Sequence, residues 1–243
     1  MNNVVMAGLI SNLLILPFGA QALTLSDDFE LALTGELVSD YRSRGQSQTL
    51  NDPALQLGAT LTHSTGLYGM VWTSNVDFGM GSKTRQEIDY LAGYYMAITE
   101  NVGLDIGYAK YVYSKQGNLN YGETYAVLNA YGFKLGTQYS DDFAGSQAYM
   151  WNWISYDMVL PADVGLGLHF GNVDYKDDLL ISRSGETRQN YNEWSVKLSK
   201  NVLTLDWSVS YVDTDINESE CSSLLGYDDV CSPTLVFGVK KTF

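Results

Sequence analysis

Side-chain polarity alternates with period two along nearly the whole chain, and this pattern limits the fold more than any other feature. A β-strand sends successive side chains to opposite faces. In residues 29–38, Phe29, Leu31, Leu33 and Leu37 share one parity, while Glu30, Ala32, Thr34 and Glu36 share the other. Leu55, Leu57, Ala59 and Leu61 likewise oppose Gln56, Gly58, Thr60 and Thr62. The pattern returns in Val164, Leu166, Leu168 and Phe170, in Leu205, Trp207, Val209 and Tyr211, and in Leu235, Phe237, Val239 and Phe243. Twelve such segments are predicted, at 29–40, 53–63, 67–77, 86–98, 102–113, 121–130, 133–140, 148–159, 163–173, 190–199, 202–213 and 233–243. In two of them the facing stays open. Tyr125 and Val127 balance Ala126 and Leu128, and Trp151 and Trp153 compete with Met150 and Ile154.

Connection lengths alternate too. Short turns such as Ser64-Thr65-Gly66, Ala130-Tyr131-Gly132 and Lys200-Asn201 follow the even-numbered strands. Longer polar loops at 41–52, 78–85, 114–120, 141–147, 174–189 and 214–232 follow the odd-numbered ones. Short turns at one end and long loops at the other characterise outer-membrane barrels, which have an even number of antiparallel strands. In lipid every backbone N–H and C=O needs an internal partner, so the sheet must close. The expectation is an all-β, transmembrane, antiparallel up-and-down β-barrel of about twelve strands over residues 23–243. The apolar parity would face lipid and the polar parity the lumen. In the competing soluble sandwich or lipocalin-like barrel, the apolar parity would face inward.

The first 22 residues carry no charged side chain, are mostly apolar from Val4 to Phe18, and end in Ala20-Gln21-Ala22. They read as a cleaved secretory signal peptide, although no Lys or Arg precedes the apolar run. An uncleaved anchor is the rival, weakened by Ser11 and Asn12 inside a short run. Beyond residue 26 no apolar stretch reaches the ~20 residues of a spanning helix.

The chain has 14 Lys+Arg against 28 Asp+Glu, a net charge of −14, which opposes nucleic-acid binding. Its 18 Tyr, 5 Trp and 8 Phe suit the aromatic girdles of a membrane barrel. With two His and two Cys, a Cys/His zinc site is nearly excluded, and no cofactor is implied.

Ser39-Asp40-Tyr41-Arg42-Ser43-Arg44-Gly45-Gln46-Ser47-Gln48, followed by Asp52-Pro53-Ala54-Leu55-Gln56-Leu57-Gly58, resembles the signature of the TorF-like porin family, a proteobacterial family of unknown function. The runs 66–78 and 87–94 are similar to the same family, and the match is looser after residue 94. The resemblance implies an outer-membrane barrel of a Gram-negative bacterium and names no substrate. With the strand pattern, it predicts a channel for passive diffusion of small hydrophilic solutes. Expected partners are outer-membrane lipid and, through the amphipathic strand ending in Phe243, the barrel assembly machinery.

Candidate pore residues follow from parity and charge. Asp40, Arg42 and Arg44 sit where the first strand enters the first long loop, and Glu87 and Asp89 share the lumen parity near the same mouth. Asp105 projects inward lower down. Cations facing carboxylates across a pore would make a constriction with a transverse field. The same charges could instead lock loop one to the wall. Each belongs inside, because a charge facing lipid costs ~2–4 kcal/mol at the midplane. Acidic loops, with Asp141, Asp142, Asp177, Asp178, Asp228 and Asp229 among their residues, predict a negative vestibule and a weak cation preference. Their spacing matches no calcium loop. Cys221 and Cys231 predict a disulfide closing a small hairpin, since the compartment is oxidising. A redox pair is the lesser reading. Gly58, Gly69, Gly93, Gly103 and Gly107 are assigned to the lumen parity, as clearance for a solute or as strain relief. His169 also faces the lumen, but no sequence motif supplies a nucleophile for a hydrolase. The rivals to a pore are a plugged surface-interaction barrel and an outer-membrane hydrolase.

Overall fold

The computed structural model describes residues 22–143 and 145–243, so most of the expected signal peptide lies outside the described residues. Twelve strands form the wall: β1 (Phe29–Val38), β2 (Ala54–His63), β3 (Leu67–Asn75), β4 (Gln86–Thr99), β5 (Val102–Tyr113), β6 (Tyr121–Ala130), β7 (Phe133–Phe143), β8 (Gln147–Leu160), β9 (Val164–Asp174), β10 (Asn190–Val202), β11 (Leu205–Thr214) and β12 (Thr234–Thr242). Each pairs antiparallel with its sequence neighbours, and β12 pairs with β1, so the sheet closes on itself. With strands ~4.8 Å apart and tilted ~40°, twelve strands enclose a backbone cylinder roughly 23 Å across.

The short-turn end is built from tight reversals. Tyr131-Gly132 and Leu203-Thr204 each connect paired strands with both residues at positive φ, the conformation of primed hairpin turns. The other end carries the longer loops, with one exception. The stretch 141–147, predicted as a loop, is mostly strand, and only residues 144–146 separate β7 from β8. The β7–β8 register shifts between Ser140 and Phe143. That irregularity absorbs the Asp141-Asp142 pair into the sheet and leaves a notch in the otherwise strict alternation of loop lengths.

The outward parity is apolar. Leu57, Val71, Ile106, Leu128, Leu135, Ile154, Leu168, Val196 and Phe237 all stand exposed on the outside of the wall. Closure leaves the wall without a free edge, and its apolar belt is a surface suited to a bilayer. Among the described residues, no helix is long and apolar enough to cross a membrane.

The two ambiguous strands resolve in the same direction. Tyr121, Glu123, Tyr125 and Val127 of β6 point inward and are buried, as do Tyr149, Trp151 and Trp153 of β8. The aromatic excess is therefore shared. Tyr90, Tyr108, Trp207 and Tyr211 stand outside, while a Tyr- and Trp-rich wall lines the lumen.

Several lumen glycines have a reason the sequence did not show. A Cβ at Gly107 would lie 2.3 Å from the Tyr125 hydroxyl, and one at Gly136 would lie 2.1 Å from the Trp153 ring. These glycines are seats for rings lying flat against the wall rather than clearance for a solute. Gly69, assigned above to the lumen, lies on the outward parity beside exposed Leu67 and Val71.

Candidate functional site

Loop one folds back into the lumen. Arg42–Ser43 and Gln46–Ser47 pair as a miniature hairpin whose tip is Arg44-Gly45. Both tip residues have positive φ, 49° and 80°, as a type I′ turn requires. Gly45 also permits close approach to β10 and β11: a Cβ there would lie 2.3 Å from Thr214 and 3.1 Å from Glu193. Tyr41 packs edge-on against Trp72, at 5.4 Å between ring centres, and holds the base of the loop to β3.

The two arginines of this loop do different things. Arg42 pairs with Asp40, and both are buried. Its Nη1 donates to the Val230 carbonyl at 2.8 Å, to Gly45 O at 3.0 Å and to Ser232 O at 3.2 Å, and its Nη2 to Asn51 Oδ1 at 2.6 Å. The Ser47 N–H donates to the same Val230 carbonyl at 2.8 Å. Asp40 and Arg42 thus clasp loop one to the last long loop. Their geometry is that of an anchor.

Arg44 instead reaches across the lumen. Nη2 donates to Glu123 Oε1 on β6 at 2.6 Å and to Gln138 Oε1 on β7 at 3.0 Å. The guanidinium carbon lies 5.0 Å from the Tyr149 ring centre and 4.8 Å from that of Trp151, within cation–π range. Tyr191 on β10 donates its hydroxyl to the Arg44 carbonyl at 3.0 Å. One residue therefore ties the hairpin tip to β6, β7, β8 and β10.

Glu87 and Asp89 are buried on the lumen parity beside this cluster. Of the carboxylates set against Arg42 and Arg44 in the sequence reading, neither pairs directly with Arg44, whose ion-pair partner is Glu123, a residue the sequence reading missed. Glu87 Oε2 and Asp89 Oδ1 have no hydrogen-bond partner. Asp105 is fully buried lower down, accepts from the Tyr68 hydroxyl at 2.9 Å, and belongs to a Tyr68–Tyr125 cluster rather than to the Arg44 group.

The hairpin divides the lumen in two. Toward the long-loop end lies a cavity of about 430 Å³, walled by Tyr113, Tyr121, Tyr149 and Tyr191 and roofed by Leu224 and Tyr227 of the last loop. On the other side lies a space of about 120 Å³ lined by Glu36, Lys197, Ser208, Ser210, His169 and Glu193. Arg44 borders both. The remaining lumen cations lie on this lower side or beyond it, with Lys134 paired to Asp157 at 3.0 Å.

The last loop contains a helix that was not anticipated, α1 (Glu218–Leu225). Asn217 caps it, Glu220 closes a capping box, and Gly226 terminates it in the left-handed region. The Cys221–Cys231 disulfide is present and ties this helix, rather than a hairpin, to the segment that touches Arg42. Arg188 clamps the helix from the neighbouring loop, donating Nε to Glu220 Oε1 at 2.8 Å and Nη2 to Oε2 at 2.7 Å. This contact holds the Glu220 carboxyl below the ordinary range. Other loop carboxylates have partners as well, including Asp142 with Lys110 at 3.1 Å and Asp215 with Arg188 at 3.0 Å.

His169, which had no assignable partner in the sequence, has two. Ser155 Oγ lies 2.9 Å from Nδ1, and Glu193 Oε1 lies 2.6 Å from Nε2. The three residues sit on adjacent strands in unbroken register. Ser155 has strand partners on both sides, so the nearby backbone N–H groups are committed to the sheet and supply no oxyanion hole. Among the described residues, no group of three or more His, Cys, Asp or Glu side chains is placed to hold a metal ion.

Residues 23–243 match the profile of a family described as a bacterial protein of unknown function, Gcw_chp. The chain belongs to that family. No curated protein matches it. Among solved structures, it is similar to the KdgM porin, at 12% identity and a TM-score of 0.52, over 88% of this chain and 98% of that one. The KdgM porin in complex with disordered oligogalacturonate matches at 11% identity and 0.52, over 88% and 98%. The NanC porin matches at 11% identity and 0.51, over 87% and 98%. At these identities the likeness is one of fold: a closed antiparallel twelve-stranded barrel.

Proposed function

We propose that this protein is an outer-membrane channel through which small hydrophilic solutes diffuse passively, with a weak preference for cations. The observation that carries the reading is the lumen itself. Loop one narrows it around Arg44 but leaves space on either side. A strip of small and polar residues on β10 and β11, Ser195, Lys197, Ser208 and Ser210, continues downward from the constriction. The cation preference rests on Glu87, Asp89 and Glu123, which outnumber Arg44 at the narrowest level. Lys134, Lys197 and Lys240 on inward positions further down oppose it, so the preference is weak.

The long-loop end faces outward from the cell and the short-turn end faces the periplasm. Export by a signal peptide at residues 1–22, insertion by the barrel assembly machinery, and the TorF-like porin identity carried by residues 39–94 belong to the same proposal. So does the absence of catalysis; around the Ser155–His169–Glu193 line the backbone N–H groups are committed to the sheet.

The deciding test is single-channel conductance of the refolded protein in a planar bilayer, with reversal potential under a KCl gradient. Discrete steps with a cation-selective reversal potential support the channel. A folded barrel that stays silent refutes it and supports the one competing reading with structural footing. In that reading the clasped hairpin is a permanent plug and the disulfide-braced mouth binds a partner.

A further inference from the structure

The outer cavity, toward the long-loop end, has a composition that selects its occupant. Its wall is a continuous group of rings. Tyr121 meets Phe143 at 5.0 Å between centres and Tyr149 at 6.2 Å, and Phe143 meets Tyr149 at 5.1 Å. This wall already receives one cation, since Arg44 lies over the Tyr149 ring. Arg44 is spoken for by Glu123. Glu87, which neighbours Tyr113 and Asp89, lines the cavity, is only 2% exposed, and keeps its Oε2 without a hydrogen-bond partner. The Tyr149 hydroxyl, also on the cavity wall, lacks one as well. Aromatic faces beside a buried carboxylate with one oxygen free of partners form a site for a positive charge carried on an organic skeleton. The residues do not converge as metal ligands. A neutral sugar would use the rings but leave the carboxylate unmatched.

We infer that the cavity is a binding station for small organic ammonium ions, held by the Tyr121 and Tyr149 ring faces and by the Glu87 carboxylate. The inference rests on the channel reading and names its solute class. The cavity volume of about 430 Å³ accommodates a choline-sized cation with some water.

The test is calorimetric titration of the full-length barrel in detergent with choline, with glucose and gluconate as neutral and anionic controls. Heat-modifiable migration on unboiled gels verifies folding of every variant. Choline is expected to bind, and tetramethylammonium to displace it. Glu87→Gln, which keeps the shape and removes the charge, weakens choline binding about tenfold or more. Tyr121→Leu provides the second variant and weakens it several-fold. Glucose binding as tightly as choline, or choline binding unchanged in both variants, overturns the site. Conductance is measured on the same preparations, so the two readings fail separately. A barrel that conducts K⁺ but does not bind choline refutes the station alone. One that binds choline through Glu87 without conducting keeps the station and refutes the channel.

Discussion

Replacing Arg44 with methionine removes the contacts that hold the hairpin tip in the lumen while keeping most of the stem's volume. Two charge-assisted hydrogen bonds are lost, to Glu123 at 2.6 Å and to Gln138 at 3.0 Å. Each contributes about 1.5–3 kcal/mol. The contacts with the Tyr149 and Trp151 rings add about 0.5–1 kcal/mol apiece. Freeing the side chain returns about 2 kcal/mol of rotamer entropy. Together these leave a net loss of about 2–6 kcal/mol, and the central value of about 3–4 kcal/mol lies within the range for breaking a buried ion pair. The hairpin can leave the lumen with the barrel intact, so the loss is local and is read by amide hydrogen exchange. Protection of residues 42–47 should fall about 150- to 1,000-fold in Arg44→Met, while β-strand amides keep theirs. Part of this loss comes from stranding Glu123, which is almost fully buried. Arg44→Met combined with Glu123→Gln should therefore recover at least tenfold of the lost protection. Unchanged protection in the single variant, or simple additivity of the two substitutions, would refute the claim that this pair docks the loop.

Three further outcomes are expected. Arg188 lowers the Glu220 carboxyl below its ordinary range, so its contribution to α1 is complete above about pH 4.3 and disappears as pH falls through the lowered value. Exchange rates of the 218–225 amides should rise across that window in the native protein and stay flat in Glu220→Gln. Gly107→Ala places a methyl 2.3 Å from the Tyr125 hydroxyl and should cost about 1–3 kcal/mol in urea unfolding from vesicles, against almost nothing for an alanine at Gly117, where no neighbour is that close. Leu57→Lys puts a charge on the outward belt in mid-strand and should lower barrel stability by about 2–4 kcal/mol in bilayers; an unaffected variant would mean that this face is not in lipid.

The barrel was legible because its defining signal, alternation, is local. The two strands of open facing were legible as well, by a rule not applied to them. A charged side chain in a spanning strand favours the inward face, increasingly so away from the rims, where Lys110 of β5 does face outward. Glu123 therefore sets the odd parity of β6 inward, carrying Tyr121 and Tyr125 with it, and Asp157 does the same for Trp151 and Trp153 in β8. Applied there, the rule would have exposed both the aromatic lumen and the partner of Arg44. Helix α1 had a local signal too, in Asn217, Glu220 and Gly226, hidden inside what read as an acidic loop. The entry of loop one into the lumen was not legible. It depends on Thr214, Glu193 and Val230, all more than 140 positions away from the hairpin, and no pattern near residues 39–52 encodes those contacts. The different fates of Arg42 and Arg44, two residues apart, have the same origin.

The clasp at Arg42 stands over the place where the wall closes. The β12–β1 ladder has five paired positions, from Gly238 opposite Val38 to Thr242 opposite Thr34, fewer than any other junction between wall strands. The Arg42 bonds to Val230 and Ser232 span 188 and 190 positions and join the segments just beyond the two seam strands. Contacts this distant in sequence are among the last a chain can make. The order of assembly then has a built-in dependency: the carbonyls that fix the hairpin's base reach it only when the final strand has been threaded into place. An incomplete ring leaves this clasp unmade, so the state of the Arg42 bonds reports whether the wall below them is whole.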